Sequence, residues 1–361
     1  MFRWGSYEKM SDCGNYGRII GHGNDDGLVN NYLYYGTDKL YSIPLGAEIR
    51  GMYVNTTILD ACGLKVPTNR QEFLHVCEVL ADQGYLPLLG NPGNFGQQLL
   101  YPYIANMIAN AENYDKAYAF VKAGDASVAD MFEDPLAFMY ELMSKRYYNY
   151  KYQEDTLSNY KDLTPRECMK SFFNLRETED GYEKIDDIGE IPFTTGTASQ
   201  NEIYQKAKED YHSDIEFQFI LAPVSEEGGY AYMSPTQEIA LNKNSKNADW
   251  ALEFLNFYYT AENNKLYAKE SNIIPNTQDA IEHISDQYDI AQDHICELGQ
   301  VTFDYGFYNA ITQSLMEISK GNNPKYMQQD ADGNATLYDF TYYMENARNY
   351  IVEQRNGETT E

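Results

Sequence analysis

Apolar and polar positions between residues 40 and 55 alternate in two short runs separated by a Pro-Gly break. Leu40-Tyr41-Ser42-Ile43 suits a strand, and Pro44 should end it because proline withholds a ladder donor. Glu48-Ile49-Arg50-Gly51-Met52-Tyr53-Val54 reads as a second extended run, and Asn55 stands where it can cap a short helix. Two strands meeting at such a break without a hairpin turn predict a chain that crosses between two bodies.

Beyond this stretch the periodicity alternates between helix and strand. Thr56 to Cys62 predicts a short helix stopped by Gly63. Thr68, with Gln71 three residues on, predicts a capping box for a helix whose apolar face is Phe73, Val76, Cys77, Leu80 and Ala81. Tyr85 to Leu89 reads as a short buried strand, followed by the loop Gly90 to Gly96 and a helical stretch from Gln97 to Asn110. Asp134-Pro135 and Thr164-Pro165 mark further helix starts. Pro192 to Ala198 reads as a short strand or turn leading into a helix from Asn201 to Glu209. Ile215, Phe217, Phe219 and Leu221 alternate with polar residues, as in a strand with one buried face. A Gly-Tyr loop from Gly228 to Pro235 precedes an expected strand at Glu238 to Leu241. Asn247 is placed to cap an amphipathic helix bearing Trp250, Ala251, Phe254, Leu255 and Tyr258. Strands separated by helices define an α/β chain. Residues 1–36, punctuated by glycines, carry little periodicity.

Composition narrows the function. A formal net charge of −28 repels phosphate backbones and anionic membranes, so nucleic-acid binding is not expected. The five cysteines lack CxxC spacing and the five histidines lack paired ligand spacing, so neither a zinc site nor a disulfide framework is predicted. Asp330-Ala331-Asp332-Gly333-Asn334 is like a calcium loop, but its glycine comes too early and the closing glutamate is missing; it reads as a turn. No cofactor is expected. No apolar run reaches the ~18 residues of a membrane span, and no export signal is visible at the N-terminus. Tyrosine is the outlier: 34 of 361 residues, about three times ordinary usage. Its flat apolar face and polar tip suit stacking on sugar rings, and also amphipathic surfaces generally.

Six segments in order resemble the extracellular carbohydrate-binding proteins of bacterial ABC importers, the maltose-binding-protein-like family. They are Asp38 to Pro44, Met52 to Asn55, Gly63 to Thr68, Phe193 to Ala198, Asn244 to Leu255, and Ile274-Pro275. Two positions depart from the family pattern. Arg70 stands where a tryptophan is usual, and Ser199 to Tyr204 lacks the tryptophan that normally follows the Phe193 segment. The family also places several strands of the first lobe before the Asp38 segment, whereas 37 residues precede it here.

The resemblance implies a two-lobed periplasmic-binding-protein-like α/β fold of the maltose-binding type, with hinge crossings and a truncated first lobe. The expected lobes are residues 1–44 with 236–298, and residues 48–232 with 303–355. It further implies a monomeric extracellular or periplasmic receptor, a membrane-tethered lipoprotein in full-length form, that binds an oligosaccharide between its lobes and delivers it to ABC permease subunits. Such a receptor catalyses nothing. The residues it points to as ligand contacts are Glu48, Asn91, Phe95, Tyr204, Tyr230, Tyr232, Tyr305 and Tyr308, with Tyr204 in place of the missing tryptophan. Two other readings stay open at this point: a carbohydrate-active enzyme with paired carboxylates, and a truncated fragment that binds nothing.

Overall fold

In the computed structural model of the chain, the described residues are 43–90, 99–100, 102–104, 107, 125–148, 165–179, 181–230, 233–242, 244–271, 273–275, 314–315, 317–318, 328–329, 331 and 335–358. The expected break at Pro44 is not there: Ile43–Asn55 forms one 13-residue strand, β1. The strand continues because its partner changes along its length. Ile43 to Ile49 pairs antiparallel with β7 (Met233–Ile239), and Arg50 to Asn55 pairs antiparallel with β5 (Phe193–Thr197) and β6 (Phe217–Ile220). β7 therefore starts well before the predicted Glu238. Its Pro235 lies opposite Ala47, whose N–H and C=O are both bonded to Ile274, so that register position asks for no donor from the proline.

The chain divides into two compact units, and the boundary falls inside β1. One unit comprises Met1–Ile49, Ala105–Tyr114 and Ala231–Asp304; the other comprises Arg50–Ile104, Asp115–Tyr230 and Tyr305–Glu361.

In the second unit, Asn55 ends β1 and caps helix α1 (Thr56–Ala61) by accepting from the Ile58 N–H. Helix α2 (Arg70–Asp82) begins one residue later than the Thr68 cap predicts. Asn69 is the N-cap, and Glu72 reaches back to the Thr68 N–H and hydroxyl. Asparagine won because its side-chain oxygen reaches Glu72 N–H while the Thr68 hydroxyl is taken by the Glu72 carboxylate. The short strand β2 (Leu88–Leu89) lies parallel to β5, giving the order β2-β5-β1-β6. Helices α3 (Glu133–Ser144) and α4 (Pro165–Phe172) follow, each with proline in its first turn. A hairpin, β3 (Leu175–Thr178) with β4 (Gly181–Lys184), comes before β5, and α5 (Asn201–Asp210) comes after it.

The core of this unit is aromatic. Tyr53, Phe172, Phe173, Tyr204 and Ile215 are buried together, with Phe217 and Phe219 packed against them. A second group centres on Phe73, which meets Phe193 edge-on at 5.2 Å. Gly51 is required here by close approach. A Cβ would sit 2.3 Å from the Ile220 carbonyl oxygen and 2.6 Å from the Phe219 ring.

In the first unit, helices α6 (Ala248–Tyr258) and α7 (Ala261–Glu270) bury Leu241, Leu255, Tyr258 and Tyr259. Tyr258 donates its hydroxyl to the Leu45 carbonyl at 2.7 Å, tying α6 to β1. Of the five apolar residues expected on α6, Leu255 and Tyr258 are buried and Ala251 packs against them, whereas Trp250 is 77% exposed and Phe254 55%. The helix is apolar on nearly every side, so spacing alone does not select a face. The last described helix, α8 (Phe340–Glu358), belongs to the second unit and is held to Asp130 by Arg348.

Candidate functional site

Arg70, the first residue of α2, organises a polar and aromatic cluster inside the second unit. Its backbone N–H donates to the Ser225 carbonyl (2.9 Å), and its Nε donates to the Val224 carbonyl (2.6 Å). Its two terminal nitrogens grip Asp134 of α3 in a bidentate fork, at 2.8 and 2.6 Å. The guanidinium also lies 4.8 Å from the Phe138 ring centroid and 5.6 Å from that of Tyr103. All of this leaves the Arg70 side chain 15% exposed, while Asp134 is half open to solvent.

Tyr103, in the helical residues 102–104, donates its hydroxyl to Asp134 Oδ2 at 2.8 Å. Its ring stacks on Tyr230, with centroids 5.6 Å apart and planes 9° from parallel. The Tyr230 hydroxyl lies 3.3 Å from both Ser225 Oγ and Glu227 Oε2, in the turn that Ser225 and Gly228 close. Hydrogen bonding from Arg70, reinforced by Tyr103, holds the Asp134 carboxyl below the usual carboxylate range against the opposing effect of burial. Burial, and then the bond to Asp134, push the Tyr103 phenol up to about 12.

Three of the residues expected to touch ligand lie among those described. Glu48 is half-buried on the same side of β1 as Arg50, while Ala47 and Ile49 on the other side are buried. Tyr230 belongs to the Arg70 cluster and is the last residue of its unit before the chain crosses to Ala231. Tyr204 is elsewhere in the same unit, and it is a core residue. It is 3% exposed, stacked on Tyr53 at 4.0 Å and met edge-on by Phe172 at 5.4 Å. Those contacts occupy the ring faces a sugar would need. Asn91, Phe95, Tyr232, Tyr305 and Tyr308 lie outside the described residues.

Sequence reasoning missed Arg70, Tyr103, Asp134 and Glu227 as a group. One signal was available: Arg70 replaces a tryptophan in the family pattern, so an aromatic packing position is filled here by a cation that needs partners. Its partners are 64 and 154 residues away in sequence, beyond the reach of local pattern.

The cluster offers hydrogen-bond acceptors, a fixed cation and stacked aromatic faces, which suit binding. The buried thiols of Cys77 and Cys168 are pushed up by burial, that of Cys168 to about 12. Among the described residues no group of histidine, cysteine and carboxylate side chains is placed to hold a metal, and no helix is long and apolar enough to cross a membrane.

Comparison with solved structures identifies the fold. The fold is that of the two-lobed periplasmic sugar-binding proteins. The sugar-binding protein MalE of Xanthomonas citri matches with a TM-score of 0.59 at 12% identity, over 94% of this chain and 76% of that one. The mannobiose-bound BlMnBP1 binding protein of an ABC transporter from Bifidobacterium animalis subsp. lactis matches with a TM-score of 0.57 at 12% identity, over 99% and 80%. The family follows from the sequence: residues 19–265 match the model for bacterial extracellular solute-binding proteins, and the chain belongs to that family. A multiple sugar-binding protein of Streptococcus mutans is 32% identical over 91 residues, a stretch covering 24% of this chain and 22% of that protein.

Proposed function

We propose that this protein is the carbohydrate receptor of a bacterial ABC importer, taking up an oligosaccharide outside the cell and passing it to the permease subunits. Family membership across residues 19–265 carries the reading. The sugars and sugar-binding roles named for its relatives support carbohydrate as the ligand class. The receptor acts as a monomer tethered outside the membrane, and the chemistry is reversible binding. Ring stacking by tyrosine and charge-assisted hydrogen bonds from carboxylates to sugar hydroxyls supply the affinity.

Glu48 and Tyr230 are the contacts proposed among the described residues, with Asn91, Phe95, Tyr232, Tyr305 and Tyr308 beyond them. An enzyme reading would call for a carboxyl pushed up to serve as general acid. Among the described residues, the carboxylates that the fold moves, Glu72, Asp125, Asp134 and Asp187, are moved down.

The test is titration calorimetry of the whole chain with maltotriose, mannobiose and raffinose, with chromatography of the sugars after incubation. Saturable binding with intact sugar supports the reading. Reproducible cleavage that is abolished by removing one carboxylate overturns it.

A further inference from the structure

Residues 221–232 join β6, which ends at Ile220, to β7, which starts at Met233. The chain passes from the second unit to the first inside that span, after Tyr230. A stretch that has left one sheet and not yet entered the next is ordinarily loose, because little offsets the entropy of ordering it. Here Val224–Tyr230 is fastened. The Val224 carbonyl accepts from Arg70 Nε at 2.6 Å, and the Ser225 carbonyl accepts from the Arg70 N–H at 2.9 Å.

The other end of the segment returns to the same arginine. Tyr230 stacks on Tyr103, the Tyr103 hydroxyl donates to Asp134, and Asp134 is held by both terminal nitrogens of Arg70. Between the two ends, Ser225 and Gly228 close a turn through their backbones and the Ser225 hydroxyl. Gly228 lies against the approach to α2: at φ +120, a Cβ there would come within 3.0 Å of the Thr68 carbonyl oxygen. With its side chain 15% exposed, Arg70 makes these bonds largely shielded from water, where they are stronger.

We infer that Arg70 is a positioning residue for the chain connection between the two units: by holding Val224–Tyr230 to α2 and α3, it sets Tyr230 as the point at which the chain leaves the second unit. Released from Arg70, the free stretch would begin at the end of β6, and a longer tether admits more arrangements of what it joins. A ligand that selects one arrangement then binds more weakly, its apparent Kd rising as the competent fraction falls. This last step rests on the carbohydrate-receptor reading; the anchoring does not.

The experiment measures hydrogen exchange by mass spectrometry, and Kd by calorimetry for maltotriose, mannobiose and raffinose. It uses the full chain and its Arg70→Lys, Asp134→Asn and Arg348→Lys variants. Lysine keeps the charge of Arg70 and loses its fork and its Nε. Arg348→Lys disturbs another arginine–aspartate contact of the same unit, the one between α8 and Asp130, and serves as the control. In Arg70→Lys and Asp134→Asn the amides of residues 221–230 should exchange roughly tenfold faster, while those of β5 and α5 keep wild-type rates. Binding should weaken about threefold or more in the same two variants. Arg348→Lys should leave both the exchange of residues 221–230 and the Kd unchanged.

If Arg70→Lys fails to fold, Asp134→Asn tests the same link from the other side. Wild-type exchange across residues 221–230 in both variants overturns the anchor. Faster exchange there with an unchanged Kd overturns its effect on binding while leaving the receptor reading intact. A wild type that binds none of the three sugars overturns the receptor reading, and the exchange rates then decide the anchor alone.

Discussion

At Asn55 one side chain does two jobs. Its Oδ1 accepts from the Ile58 N–H to start α1, and its Nδ2 donates to the Ile188 carbonyl at 2.7 Å. Gly189 makes room for it: the backbone there has φ +85, and a Cβ would meet the Asn55 amide at 2.6 Å. Asn55→Ala should destabilise the chain by about 2 kcal/mol, from a lost cap and a stranded carbonyl. Asn55→Asp should be worse than a cap analysis suggests, because a buried carboxylate would face the Ile188 oxygen. Urea denaturation of the two variants checks both statements, and equal stability of Asn55→Asp and wild type would contradict the second.

Asp134 predicts a pH dependence. Its folded pKa is depressed by Arg70, so its contribution to stability is present above the ordinary carboxylate range and is lost as pH falls through the folded value. The gap between wild type and Asp134→Asn should be constant near neutrality and shrink below about pH 4. Half exposure keeps that gap under about 1 kcal/mol. Asn55 was legible from sequence because its cap is local. Arg70 and Asp134 were not, since a bidentate pair across 64 residues leaves no periodic trace.

Elements were legible in kind and less so in boundary. The helices α1, α2, α3, α4, α5 and α6 all stand where apolar spacing and proline or asparagine starts predict them, with the cap of α2 moved by one residue. β1 was misjudged because proline was treated as the end of a ladder, whereas here the ladder changes partner along a single strand. That strand makes its own prediction. Gly51→Ala would drive a methyl into the Ile220 carbonyl and should cost about 1–3 kcal/mol by overpacking, measured as a lowered denaturant midpoint with an unchanged slope.

On α6, hydrophobicity on nearly every side left the exposed Trp250 and Phe254 undistinguished from Ala251, Leu255 and Tyr258, which pack. Trp250→Ser should change stability by less than about 0.5 kcal/mol. Tyr258→Phe should cost about 1 kcal/mol by removing the bond to Leu45. The reverse ranking would mean that the Trp250 face is the one that packs.

Across the whole molecule, family and fold were legible from six weak segments read together in order, five of them within the matched residues 19–265. The abundance of tyrosine was a poorer guide to the site. Tyr53, Tyr148, Tyr204, Tyr259 and Tyr343 are all spent on buried packing, so the residue type that suits sugar also builds this core. Tyr204 illustrates the cost of carrying a site residue over by sequence place: the chain position matched, and the ring went inward onto Tyr53. The cluster around Arg70 emerged only when distant segments were brought together.

The most direct measurement is calorimetric titration of the full chain with maltotriose, mannobiose and raffinose, read beside its melting temperature. A receptor should bind at least one of them saturably, leave it chemically intact, and gain roughly 2.7 kcal/mol of stability at a hundredfold excess over Kd, seen as a rise of several degrees. No heat and no shift with any of the three, or the appearance of smaller sugars, would contradict the account.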